Sequence, residues 1–241
     1  MKRPRLSALA FFAVFSAALP AHAQQVSQPL TGAVWATTDY VNRGISRSDG
    51  PALQGRIQLN HAPTGLFAGA AASTVDLNTD PDANVETVLF GGLQGNYEGI
   101  DYNGKLSWYA YPGGNNGKED YVELALTGGY DFGPFYASGT WAFSPDYING
   151  SGASFYYGAD LVVPVVYDLK AKAHMGFQFV NRDNSYIQSG AMDWGLGLWY
   201  NYAPWDMDIG LQYTDTDLSK SECREHCGAR AALVASKDFG M

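Results

Sequence analysis

From about residue 30 onward, apolar and polar side chains alternate along the chain in segments of roughly ten residues. In 205–214, Trp205, Met207, Ile209, Leu211 and Tyr213 fall on one face and Asp206, Asp208, Gly210, Gln212 and Thr214 on the other. In 169–180, Leu169, Ala171, Ala173, Met175, Phe177 and Phe179 oppose Lys170, Lys172, His174, Gly176 and Gln178. A period of two is the signature of a strand with two unlike faces. Twelve strands are predicted, at about 30–41, 51–61, 65–75, 85–97, 100–111, 121–132, 135–144, 154–164, 169–180, 192–202, 205–214 and 229–239. The Ala- and Gly-rich segment 65–75 alternates poorly, so its register is weakly specified.

The connections alternate too. Ala62-Pro63-Thr64, Glu98-Gly99, Gly133-Pro134, Val165 to Asp168 and Ala203-Pro204 are tight and carry turn residues. Asn42 to Gly50, Asp76 to Asn84, Pro112 to Asp120, Pro145 to Ala153, Asn181 to Ala191 and Asp215 to Gly228 are long and polar. Short turns on one side and long loops on the other describe an antiparallel up-and-down transmembrane β-barrel, with short periplasmic turns and long extracellular loops. An even strand count puts both strand-forming ends of the chain on the short-turn side.

Period two alone does not say which face is outside. A soluble barrel buries its apolar face; a membrane barrel turns it to lipid. Aromatic placement favours the second. Tyr97, Tyr130, Phe132, Phe135, Tyr200, Tyr202 and Trp205 flank the tight turns, while Trp108, Tyr111, Tyr121, Trp141, Phe143, Phe155, Phe179, Trp194 and Tyr213 flank the long loops. Two such bands match the girdles at the two membrane–water interfaces. The composition fits, with 28 Gly, 16 Tyr, 12 Phe and 6 Trp. Past the start of the chain no apolar run approaches the ~20 residues of a spanning helix, so a membrane reading requires a closed barrel.

The start of the chain adds a compartment. Lys2, Arg3 and Arg5 precede an apolar stretch from Leu6 to Leu19, and Ala21-His22-Ala23 has the form of a cleavage site. Residues 1–23 are expected to be a cleaved signal peptide and 24–241 an outer-membrane barrel. The formal charge of −9 becomes about −12 once the leader's three cations are removed. An acidic chain does not suit nucleic acid. The expected partners are outer-membrane lipid, lipopolysaccharide and small hydrophilic solutes, with no cofactor indicated.

If the apolar faces meet lipid, the polar faces line a lumen. That set contains Arg56, Glu86, Lys105, Glu123, Asp160, Lys170, Lys172, His174, Asp206, Asp208 and Arg230. One reading is a polar conduit whose charged walls bias which solutes pass. The other is a ladder of interior ion pairs that braces the barrel and fills it. Twelve tilted strands enclose a backbone cylinder roughly 24 Å across, which favours a narrow path. Catalysis is poorly supported: His61 abuts a tight turn, His226 lies in the last long loop, and His174 falls mid-strand with Lys170 and Lys172 beside it and no acid among them. Cys223 and Cys227, in Cys-Arg-Glu-His-Cys, point to a disulfide in the last long loop; a metal site with His226 would lack the usual spacing. Acids in the long loops, Asp76, Asp80, Asp82, Glu119 and Asp120 among them, read as solvated tips or as attractors of cations.

The run Thr38-Asp39-Tyr40-Val41-Asn42-Arg43-Gly44-Ile45-Ser46, followed by Pro51-Ala52-Leu53-Gln54-Gly55, Gly65-Leu66-Phe67-Ala68-Gly69, Tyr109-Ala110-Tyr111-Pro112-Gly113 and Tyr121-Val122-Glu123, resembles the TorF-type porins of proteobacteria. The paired cysteines and the closing Ser236-Lys237-Asp238-Phe239 are similar as well. Asp39, Tyr40, Arg43 and Gly44 carry the strongest part of the likeness. The resemblance implies an outer-membrane barrel with a channel function and supplies no catalytic residues. The chain departs from the usual barrel ending, because Gly240 and Met241 follow Phe239.

Overall fold

A computed structural model describes residues 28–77, 82–114, 118–184 and 186–240. The signal segment 1–23 and loop residue Asp80 lie outside the described residues. The strands are β1 (Leu30–Thr37), β2 (Val41–Asn42), β3 (Ile45–Ser46), β4 (Ala52–His61), β5 (Leu66–Thr74), β6 (Val85–Tyr97) and β7 (Ile100–Ala110), followed by β8 (Tyr121–Asp131), β9 (Tyr136–Tyr147), β10 (Gly152–Val166), β11 (Leu169–Val180), β12 (Ala191–Tyr202), β13 (Met207–Thr216) and β14 (Arg230–Gly240). Twelve of them close one antiparallel barrel in the order β1-β14-β13-β12-β11-β10-β9-β8-β7-β6-β5-β4, while β2 and β3 form a separate two-stranded hairpin. The closing seam pairs β1 with β14, Trp35 opposite Ser236, so no barrel strand keeps a free edge.

Alternation settles the orientation of the wall. Along β8, Tyr121, Glu123, Ala125, Thr127 and Gly129 are buried while Val122, Leu124, Leu126 and Tyr130 are exposed. Outward-facing apolar residues recur round the barrel: Leu53 at 64 % exposure, Leu89, Leu106, Leu196, Leu211 and Leu233. An apolar patch on a soluble protein rarely exceeds a few hundred square ångströms, so a continuous belt of this kind is a surface made for lipid. The inward side is polar, with Gln54, Gln58, Ser107, Thr127, Thr140, Gln178 and Gln212 buried.

The predicted strands match the observed ones closely, with three instructive differences. The first predicted strand, 30–41, stops at Thr37, and its last residues enter the β2–β3 hairpin. Strands β9 and β10 run longer than their alternation suggested, so the loop expected over Pro145 to Ala153 shrinks to 148–151, a one-turn 3₁₀ segment at Ile148–Gly150 with one further residue. Asp206, placed on a strand by its period, is exposed in the tight turn before β13 with φ at 50°. Segment 65–75 does form a strand: Phe67 and Ser73 face inward and Leu66, Ala68 and Thr74 outward.

Candidate functional site

The long-loop end carries a packed cap. Its apolar core joins Ile45 with Val75, Leu77, Ala83, Tyr109, Tyr111, Tyr121, Tyr147, Ile148, Val180, Tyr186, Ile187, Ala191, Leu218, Cys223 and Cys227. These residues belong to all six long connections or to the strand ends that feed them. Tyr111 and Tyr121, predicted for the lipid-facing girdle, instead point inward at 5 % exposure each. Tyr121 stacks on Tyr109 at 4.4 Å and meets Tyr147 edge-on at 4.7 Å. Cys223 and Cys227 are joined by a disulfide, Cα to Cα 5.8 Å.

The hairpin lies at the centre of this cap. Val41 pairs with Ser46 and Asn42 with Ile45, leaving Arg43 and Gly44 as a two-residue turn. Both have positive φ, 52° and 73°, as a type I′ turn requires. Gly44 is needed for a second reason: a Cβ there would stand 2.6 Å from Thr216 Cβ at the end of β13. The hairpin therefore starts between β1 and β4 and turns its tip into the mouth against the ends of β13 and β12.

Two arginines fix it there. Arg43 donates from Nη2 to Glu123 on β8 at 2.8 Å and from Nη1 to Gln178 on β11 at 2.9 Å. Its guanidinium lies over the Tyr156 ring at 4.1 Å and nearer the Tyr147 ring than 6 Å, at 5.7 Å. Arg47, at 0 % exposure, donates to Glu86 on β6 at 3.2 Å, hydrogen-bonds the Tyr111 hydroxyl, and faces the Tyr186 ring at 5.5 Å. Burial alone would push both arginine pKa values down. The carboxylates and tyrosine hydroxyls around them, Glu123 first for Arg43 and Tyr111 first for Arg47, more than reverse this, so both stay charged.

The remaining motif residues serve the same hairpin. Asp39 holds Arg230 of β14 at 2.7 Å and accepts from Ser46 Oγ at 2.5 Å. Tyr40 donates to Glu86 at 3.0 Å. Arg230, expected within the lumen, is thus a mouth residue, tied also to Asp49 at 3.3 Å. Asp39, Tyr40, Arg43 and Gly44 are one device: the base, side and tip of a plug.

Below the plug the wall carries most of the predicted polar set. His174 sits between two acids, Nδ1 to Asp160 at 2.7 Å and Nε2 to Asp193 at 3.0 Å, with the Tyr156 hydroxyl 2.8 Å away. Tyr156 fits because its diagonal neighbour on β11 is Gly176, where a Cβ would stand 2.0 Å from the hydroxyl. Lys172 stands 3.8 Å above the ring of inward-facing Trp199. Asp208 accepts from Asn201 at 3.0 Å. Arg56, Lys105 and Lys170 also face inward, Lys105 buried and the other two half-buried. Of the eleven predicted lining residues, only Asp206 faces solvent at a turn.

Several central residues were not singled out from the sequence. Asp193 and Asp101 share the inward parity of their strands and were readable from it, since Asp101 is two positions apart from Asn103 and four from Lys105. Gln178 was on the polar face of its strand by the same parity, whereas Arg47 and Tyr186 gave no such signal, because they lie in loops and their partners are distant in sequence.

Comparison with known proteins agrees with the barrel. A family described as "Bacterial protein of unknown function (Gcw_chp)" matches residues 22–238, and the chain belongs to it. No curated protein matches the sequence. Among solved structures, the KdgM porin is similar with a TM-score of 0.59 at 7 % identity, covering 87 % of this chain and 99 % of its own. The NanC porin is similar with a TM-score of 0.55 at 9 % identity, covering 88 % and 99 %. A further KdgM structure, described as in complex with disordered oligogalacturonate, gives 0.57 at 6 % identity, covering 87 % and 99 %. At these identities the shared property is the fold.

Proposed function

We propose that this member of the Gcw_chp family is an outer-membrane channel, related to the TorF-type porins, that passes small hydrophilic solutes. Residues 1–23 are its signal peptide, the tight turns face the periplasm, and the long loops face outward among lipopolysaccharide. It has no catalytic role in this reading. The observation that carries it is the inward face: ionisable groups of both signs, Glu86, Lys105, Glu123, Lys172, His174 and Asp208, line the inside of a cylinder whose outside is apolar. Charges so placed on the lipid side would cost ~2–4 kcal/mol each near the midplane. The names of the KdgM and NanC porins support the same direction.

Purified protein in planar bilayers is expected to give stepwise conductance. Silent bilayers containing correctly folded barrels would remove the channel claim and leave the fold. A second reading is favoured by the complete burial of Arg47 within the cap: a non-conducting barrel that meets a partner through its loops. Trimming Val41–Ser46 separates the two. The channel reading expects larger current after trimming; the other expects none before or after.

A further inference from the structure

The surroundings of Arg43 read as a binding site occupied by the protein's own side chain. The groups that hold it come from the wall and from the adjoining cap: Glu123 from β8, Tyr147 from the end of β9, Tyr156 from β10 and Gln178 from β11. One carboxylate, one amide oxygen and two ring faces converge on a single planar cation. That donor set is how proteins recognise a guanidinium or a similar organic cation. The wall half of the seat is fixed by barrel pairing, Glu123 opposite Ser107 and Tyr156 opposite Gln178.

The occupant is held differently. The hairpin has only two residue pairs of its own and lies outside the barrel sheet. Its backbone is tied to other loops, Ser46 N to His226 O at 2.7 Å and Asp76 N to Arg47 O at 2.8 Å. Arg47 has no hydrogen-bond partner for Nε or Nη2 among the described residues, a cost of closure that a displaced hairpin would be relieved of. With the tip withdrawn, the long-loop half of the wall presents Glu86, Glu123 and Asp193, while Lys105 lies deeper, opposite Ala125, and Lys172 deeper still, opposite Val162. A cation arriving from outside would meet carboxylates first and a cationic zone below.

Resting on the channel reading above, we infer that the Arg43 seat is a site for a guanidinium-type organic cation, which competes with the hairpin tip and opens the mouth as it binds. The solute class this assigns is cationic and planar, not acidic or neutral.

The test uses methylguanidinium, with sodium at equal ionic strength as control. In the folded Arg43→Ser barrel in detergent, saturable binding at millimolar concentration is expected, followed by tyrosine and tryptophan fluorescence. Adding Glu123→Gln should weaken it roughly tenfold or more, since a buried charge partner is lost. In the native chain, methylguanidinium should speed amide exchange across Val41–Ser46 with a saturating dose curve, which keeps the test valid if Arg43→Ser does not fold. No saturable binding, binding indifferent to Glu123→Gln, or exchange no faster than in sodium would overturn the assignment. Conductance in Arg43→Ser without methylguanidinium binding also overturns it and leaves the channel standing. Saturable binding in a barrel that never conducts supports the seat and removes the channel.

Discussion

At the short-turn end, Tyr97, Tyr167 and Trp205 stand outward, Tyr167 at 97 % exposure. At the long-loop end, Tyr109, Tyr111, Tyr121, Tyr147 and Tyr186 are buried together. The same residue type does opposite work at the two rims. A ring on a two-residue turn has no chain with which to cover itself, so it sits at the interface as an amphipathic anchor. At the other rim the loops fold over the inward-facing rings and cover them together. The long-loop rim keeps outward rings as well, Trp108, Phe155, Phe179 and Tyr213, so strand parity decides which rings face lipid and the loops decide whether the inward ones are gathered into a core. The cap is a small separate core that sits on a continuous ladder of barrel hydrogen bonds.

Substituting Arg47→Leu should have the largest effect. It leaves Glu86 buried beside Tyr40 and Tyr111 without its cation, a loss of about 3–5 kcal/mol confined to the cap. Hydrogen exchange checks it: cap amides should lose protection while β8 and β11 keep theirs. Equal loss in both would break the comparison, because cap and wall would then be one cooperative unit.

Next comes Gly44→Val, with a positive φ and a Cβ placed against Thr216; about 3 kcal/mol is expected from strain and overlap together. Gly133→Ala at the opposite end shares the positive φ but meets nothing within 4 Å, so only about 1 kcal/mol is expected. Urea unfolding of the two variants gives the ratio, and equal values would mean the hairpin tip is not seated on the wall.

Removing the disulfide with Cys223→Ser and Cys227→Ser should cost on the order of 2 kcal/mol, since the ring it closes is short. Limited proteolysis of 217–229 should speed up while cleavage near 203–206 stays unchanged. Smallest is Asp206→Asn, exposed at a turn, which should change stability by no more than about 0.5 kcal/mol and leave conductance as it was. A clear conductance change would restore Asp206 to the lining from which its position removes it.

Parity along each strand determined the wall by itself. Glu123, Lys172, His174 and Asp208 could be assigned to the inside because successive strand residues must point to opposite faces, and Leu211 and Leu233 to the outside for the same reason. Turn chemistry at Pro63, Gly99, Gly133 and Pro204 fixed where each strand reverses. Period-two reasoning failed where the chain leaves the ladder. It carried the first strand through Val41, and it put Asp206 on a face when the residue is in a turn. It also marked the motif from Asp39 to Gly44 without saying what the motif is for. Only the closed tertiary structure decided that, because the partners of Arg43 are Glu123, eighty positions on, and Gln178, farther still. The barrel must close before those strands stand opposite one another, so no local window of sequence contains the contact that turns a surface loop into a plug.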